Sequence, residues 1–444
     1  MHATAEVTQT LLARLAGARQ LTDDLFRIVR PGSLYERPIA ERHRIIFYIG
    51  HLEAFDWNLL SERLLGLKPF NPEFDRLFAF GIDPVVGGLP TDQPSDWPSL
   101  TRVEEYCQQL RNKIDQALER SDERRARQEQ IEPSRATLLN VAIEHRLMHA
   151  ETLAYMFHQL PLEHKVHAES FPAKVVGPVT PGMISIPAGE ISLGLQPRDG
   201  EEFGWDNEFQ YHSVPVPAFE IDPYEVTNGE FLKFIAAGGY ENRSLWTEEG
   251  WGWIKTAKIT HPVFWKKDGK GWNYRGMFEE IQLPLNWPVL VSHAEARAYA
   301  CWAGKELPTE AQWQRAAYGT PGGREMEFPW GSDAPDRARG NFDFSRWDPE
   351  AVNAHPAGQS AFGVADMAGN CWEWTSTVFE PFQGFKPFSF YPGYSANFFD
   401  GKHYVLKGGS ARTAACMLRK SFRNWFQPHY QYVYAGFRCA KNRS

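Results

Sequence analysis

Residues 134–160 read SRATLLNVAIEHRLMHAETLAYMFHQL, a stretch with no glycine or proline to interrupt a helix. Pro133 precedes it and Pro161 follows it, and Ser134 stands where an N-cap belongs. Within it, His145 and His149 are i,i+4 neighbours. That spacing sets both imidazoles on one face, with Cβ atoms roughly 5–6 Å apart. It is a chelating geometry for a divalent metal. The pair alone is a weak signal, because such pairs occur more often on surfaces or in satisfied cores. Glu151 falls on the far side of the helix from His149, a better outer partner than ligand.

Three more helical stretches lie upstream: Thr8 to Val29, Arg42 to Leu60 and Leu100 to Arg125, each closed by a breaker such as Pro31-Gly32. Four helices predict a four-helix bundle. The second contains FYIGHLEAFDWNLL, residues 47–60, in which Gly50 permits close helix approach and His51 is the candidate third ligand. Three neutral imidazoles suit Fe, Zn, Ni or Cu. They also leave coordination positions open, the arrangement of catalytic rather than structural sites. His158, His164 and His167 read as solvated. The loop from Gly81 to Ser99 is too long for a mere connector.

Composition changes near Pro172. From Met183 onward short β-prone runs alternate with Gly/Pro turns, interrupted by helical stretches at Thr227 to Ala237 and Ser292 to Ala303. Sixteen Trp, 36 Gly and 31 Pro in 444 residues point to a turn-rich domain with aromatic-lined pockets. The expected division is 1–170, a helical bundle, and 171–444, an α+β domain of low regular content. A net charge of −8 without a basic cluster argues against nucleic acid. No apolar run approaches the ~20 residues of a membrane span, and the N-terminus lacks a secretory pattern. Five scattered cysteines without a CxxC fit the reduced thiols of a cytoplasm. Nothing in the sequence sets the oligomeric state.

The phrases ISIPAGEISLG, FEIDPYEVTNGEFLKFI, LPLNWPVLVSHAEARAYACWAGKELPTEAQWQRAA, FPWG, GVADMAGNCWEWT, VLKGGSA and SFRNW…AGFRCA occur in order between residues 184 and 440. Together they resemble the formylglycine-generating-enzyme-like (C-type-lectin-like) fold. Thr309, followed by Gln312, predicts a boxed helix start within them. The N-terminal half resembles a DinB-like bundle. In this order the chain is similar to the non-haem iron enzymes that attach sulfur or selenium to hercynine, the ergothioneine sulfoxide synthases and selenoneine synthases. The resemblance implies Fe(II) on His51, His145 and His149, dioxygen as co-substrate, and hercynine with a thiol or selenosugar donor as partners. It places the substrate pocket on the second domain, through Arg423, Asn424 and Trp425. A quaternary ammonium can rest against the indole of Trp425. A family tyrosine assists the oxygen step, and Tyr391 and Tyr394 are the candidates.

The sequence departs from the sulfoxide-synthase pattern at the donor. Phe426 and Tyr430 stand where γ-glutamylcysteine-using enzymes have Asp and Arg, and Met148 stands where some have a Gln touching hercynine. No Arg or Lys occurs between Arg76 and Arg102. A charged donor would be poorly compensated in such a pocket. Aromatic platforms, with Asp83, Asp92 or Asp96 accepting hydroxyls, suit a sugar instead. The expectation is a selenoneine synthase using a selenosugar. The alternatives are a sulfoxide synthase using cysteine or γ-glutamylcysteine, and a non-catalytic binding protein with a degenerate site. A copper oxidase of the formylglycine-generating type needs a close cysteine pair that SFRNW lacks.

Overall fold

The computed structural model describes residues 2–79, 89–123, 133–169, 174, 176–177, 179–195, 203–269 and 271–442. The chain divides into two compact units, Met1–Ala168 and Glu169–Ser444.

The first unit is helical: α1 (His2–Arg27), α2 (Ile45–Leu60), a short α3 (Pro72–Leu77), α4 (Leu100–Glu123) and α5 (Arg135–His158). α1 packs on α5, and α2 packs on both α4 and α5. Fourteen of the sixteen residues of α2 are buried, so it is the central helix and is apolar almost all round. It begins at Ile45, three residues later than the sequence suggests. Arg44 is extended there because its guanidinium donates to the Tyr35 carbonyl and to Asp92. His158, expected in solvent, is fully buried, because α5 stays in the core through its last turn.

α2 nevertheless carries two buried acids, Glu53 and Asp56. Arg146 of α5 meets both, at 2.9 and 2.8 Å. Arg111 of α4 reaches Glu53 at 2.7 Å and Asp23 of α1 at 2.7 Å. Arg19 of α1 lies 3.7 Å from Asp56. One ion network therefore engages all four long helices. Burial would raise the Glu53 carboxyl, but Arg146 and Arg111 outweigh it and hold it down at about 2.

Among its described residues the second unit has four small sheets. β1 (Ile184–Ile186), β4 (Phe219–Ile221) and β12 (Ala440–Asn442) form one, and β2 (Gly189–Leu193) and β3 (His212–Val216) another. β5 (Trp265–Asp268), β6 (Gly271–Arg275) and β7 (Glu280–Gln282) form a meander. The largest runs β10 (Asn424–Phe426), β9 (Tyr404–Lys407), β8 (Trp372–Val378), β11 (Ala435–Gly436). Around them lie α6 (Asn228–Ala236), α7 (Glu248–Thr256), α8 (His293–Trp302) and α9 (Glu310–Tyr318). Thr227, Ser292 and Thr309 cap α6, α8 and α9 in reciprocal boxes with Glu230, Glu295 and Gln312. α7 was not anticipated: its EEGWGWIKT has two glycines and two tryptophans where a helical period would show. Arg438 knots the unit together. Fully buried, it donates twice to Glu373 and to the carbonyls of Asp222, Pro223 and Ala365.

Replacing Arg146 with Met leaves Glu53 and Asp56 buried without their principal cation. Urea unfolding of Arg146→Met should show a loss of about 3–5 kcal/mol, the usual result of breaking a buried pair from one side. A loss under ~1 kcal/mol would mean that the network does not hold the bundle.

Candidate metal centre

Ser134 caps α5 by accepting the Thr137 N–H at 3.1 Å, which fixes where the helix starts. From that start His145 and His149 present themselves one turn apart to His51 of α2. Ring centroids lie 5.3 Å (His51–His145), 5.0 Å (His51–His149) and 4.5 Å (His145–His149) apart. One ring nitrogen from each is within 4.8 Å of the others. Ligands at ~2.1 Å from one ion stand about 3.0–3.4 Å apart, so ring rotations and a modest inward shift close the set. Among the described residues no other group of three or more His, Cys, Asp or Glu side chains is so arranged.

α2 also braces the three rings. Phe47 stacks on His51 at 5.0 Å and Phe55 on His145 at 3.4 Å, while Tyr48 leans on His149 at 5.7 Å. Sequence reading missed this cradle. Its signal is the four-residue spacing Phe47, His51, Phe55, which places all three on one face of α2.

Burial pushes His51 down to about 4 and holds His145 and His149 well below the ordinary histidine range. The three are thus neutral at pH 7, the form that ligates. His51 Nδ1 lies 2.7 Å from the Phe78 carbonyl and donates to it, leaving the lone pair on Nε2. That Nε2, with Nδ1 of His145 and Nδ1 of His149, is buried without a hydrogen-bond partner. Three histidines that each carry an orphaned ring nitrogen, and that bring one ring nitrogen apiece within 4.8 Å of one another, fit a divalent transition metal. A cavity of about 500 Å³ is lined by Phe26, Ile49, Leu100 and Arg111 among others, but by none of these histidines.

The remaining candidate residues fall into distinct places. Met148 is half-buried on α5 beside His149. In the second unit, Asn424, Trp425 and Phe426 form β10, an edge strand whose alternation puts Trp425 on the opposite face from Asn424 and Phe426. Phe379 stacks on Trp425 at 4.3 Å, and Tyr394 meets it edge-on at 5.4 Å. Tyr394 also stacks on Trp205 at 3.9 Å, and Tyr391 lies 5.7 Å from Tyr394, so both tyrosines join one aromatic cluster. Phe426 and Tyr430 stack at 5.1 Å with an interplanar angle of 7°. Arg423 is buried and gives its guanidinium to Glu310 and to the Glu380 carbonyl, which fastens β10 to the start of α9.

The acids expected to accept hydroxyls are engaged elsewhere. Asp92 holds Arg37, Arg44 and the indole of Trp97, and Asp96 accepts the Gln93 N–H at 2.7 Å. Asp83 and most of the first half of the loop at 81–99 lie outside the described residues. Two arginines from outside that loop, Arg37 and Arg44, reach into it at Asp92, which a linear search of the loop could not find.

Residues 168–443 match the sulfatase-modifying factor enzyme 1-like domain, and residues 14–153 match the DinB superfamily. The first match covers more than half of the chain, and the protein belongs to that family. The hercynine oxygenase of Mycobacterium tuberculosis is 42% identical over 250 residues, 56% of this chain and 58% of that protein. Ergothioneine biosynthesis protein 1 of Neurospora crassa is 27% identical over 505 residues, 92% of this chain and 55% of that protein. The chain thus spans a little over half the length of these curated relatives. The solved structure of PvdO from Pseudomonas aeruginosa is 21% identical, with a TM-score of 0.40, and covers 61% of this chain and 100% of that one. No helix among the described residues is long and apolar enough to cross a membrane.

Purified full-length chain should bind about one Fe(II) or Co(II), as measured by metal analysis after desalting. His145→Ala and His149→Ala should each weaken binding by more than the 10–100-fold that an outer-sphere partner is worth. Equal metal content in wild type and both variants would show that the cluster is not a ligand set.

Proposed function

We propose that this chain is a mononuclear non-haem Fe(II), dioxygen-dependent enzyme that joins selenium or sulfur to the imidazole C2 of hercynine. The observation that carries the reading is the set of three neutral imidazoles, His51 and His145 buried and His149 half-buried, with one ring nitrogen from each within 4.8 Å of the others. It stands on a chain that matches both domain families and is similar to proteins named hercynine oxygenases. In this reading residues 1–170 hold the iron and residues 171–444 supply the substrate pocket. Bound iron supplies open coordination positions, lowers the pKa of a selenol or thiol, and gives access to dioxygen as oxidant.

The chain's own groups do the rest. Phe47, Tyr48 and Phe55 keep the ligand rings in place and help exclude water. Phe379 stacks on one face of Trp425, and Tyr394 and Phe398 lie 5.4 and 5.6 Å from it, so a quaternary ammonium would meet the indole where these rings leave it open. Asn424, on the opposite face of β10, offers an amide to the same substrate only from the strand's end. Tyr391 or Tyr394 supplies the phenolic proton for the oxygen step.

For the donor, the finer reading is a selenosugar. Its support is the uncharged Phe426–Tyr430 stack, a flat apolar surface of the kind that pyranose rings rest on. Asp92 and Asp96, already engaged, are no longer part of that support. A thiol donor such as cysteine or γ-glutamylcysteine is the second reading. It is favoured by Arg37 and Arg44, two guanidiniums that share the single carboxylate of Asp92.

The test supplies the Fe(II)-loaded chain with hercynine, oxygen and one donor at a time: selenosugar, thiosugar, cysteine or γ-glutamylcysteine. Products are read by mass spectrometry. The selenosugar should give a kcat/KM at least ~10-fold above the thiols, worth about 1.4 kcal/mol. Phe426→Asp combined with Tyr430→Arg should move the preference toward γ-glutamylcysteine. A preference for cysteine or γ-glutamylcysteine in the unaltered chain overturns the selenosugar reading. No product with any donor, from protein that binds no iron, leaves a non-catalytic binding protein.

A further inference from the structure

We propose that Phe78 is a positioning residue for the metal centre, and that Gly50 is glycine because Phe78 must lie against it. The inference rests on the reading of His51 as a metal ligand and assigns what orients that ligand.

Of the three rings, His51 is the one whose second nitrogen has a hydrogen-bond partner given by the geometry: its Nδ1–H donates to the Phe78 main-chain carbonyl at 2.7 Å. That bond fixes the tautomer, so Nε2 carries the lone pair toward His145 and His149, and it fixes the plane of the ring. An outer hydrogen bond of this kind orients a ligating imidazole and raises its basicity. The carbonyl comes from outside the long helices. Phe78 is the C-cap of α3, with its N–H bonded to the Phe74 carbonyl at 3.0 Å.

The position of that carbonyl depends on where the Phe78 ring packs. The ring is fully buried, stacked on Tyr106 at 5.9 Å and set edge-on to Phe74 at 5.6 Å. Its other surface lies on the backbone of α2 at Gly50. A Cβ added there would stand 2.5 Å from Phe78 Cδ1 and 2.6 Å from Cγ and Cε1. No real contact is that short, so any side chain at residue 50 pushes the ring, and the carbonyl with it, away from His51. Glycine inside a helix costs about 1 kcal/mol relative to alanine, and Gly50 has no positive φ to justify it. The close approach of Phe78 is its justification.

The same contacts tie the long connection between α3 and α4 to the ligand from both sides. Trp97, at its far end, lies 6.3 Å from Phe78 and 5.9 Å from Phe47, the ring that stacks on His51. Phe78 at the entry and Trp97 at the exit thus rest on one aromatic stack that ends at His51.

The experiment measures Co(II) and Fe(II) affinity of the full-length chain by titration, with no turnover involved. Gly50→Ala should bind about 10–100-fold more weakly than wild type. Gly50→Ala/Phe78→Ala should regain most of that loss, since it makes room for the methyl and keeps the main-chain carbonyl. Leu110→Ala, a buried change on α4 that alters neither residue 50 nor residue 78, should lose stability but keep wild-type affinity. If Gly50→Ala does not fold, Phe78→Trp, which overfills the same contact with Gly50, carries the same expected loss. Folded Gly50→Ala with wild-type affinity overturns the proposal, as does a loss in Leu110→Ala equal to that in Gly50→Ala. If wild type binds no metal, the iron reading fails first, which is a separate result.

Discussion

Gathering three imidazoles around one point, two of them buried and one half-buried, leaves a ring nitrogen of each without a hydrogen-bond partner from the protein. Each such group costs about 1–3 kcal/mol. A bundle that carries this burden has to be held by other means. Helix α2 supplies much of the compensation, being buried nearly all round, with Phe47, Tyr48 and Phe55 against the three rings. The ion network sets the geometry: Arg146 stands next to His145 in sequence and meets Glu53 and Asp56 of α2. Adjacent residues on α5 thus serve two purposes, one facing the metal position and one locking the helices that define it.

That arrangement explains why so much charge is buried in the first unit. Glu53 and Asp56 are two and five residues from His51 on α2, and their cations come from three different helices. Buried ion pairs are weak contributors to net stability. They are selective about geometry, however, and a displaced helix would strand a charge. The network therefore acts on which bundle forms, and so on where the histidines point.

The second unit solves another problem with other means. Its strands are short, and its order comes from capping boxes at Thr227, Ser292 and Thr309 and from Arg438, whose donors gather Glu373 and three carbonyls. The candidate substrate residues sit on β10, an edge strand of the largest sheet. An edge strand leaves one side unpaired, and here both faces are dressed with aromatic rings: Phe379 and Tyr394 around Trp425, Tyr430 on Phe426.

Local chemistry determined a good deal by itself. The i,i+4 histidine pair, the Ser134 cap, the capping boxes and the order of phrases after residue 184 follow from short-range preferences, which is why helices, caps and family were legible. What depended on residues far apart in the chain was not. His158 lies in the core because α5 is covered to its last turn, and Arg37 and Arg44 reach Asp92 across some fifty residues. Phe78 offers its carbonyl to His51 across 27 residues. A sequence states which groups can bond; only the packed chain, by choosing which surfaces are brought together and desolvated, decides which of them do.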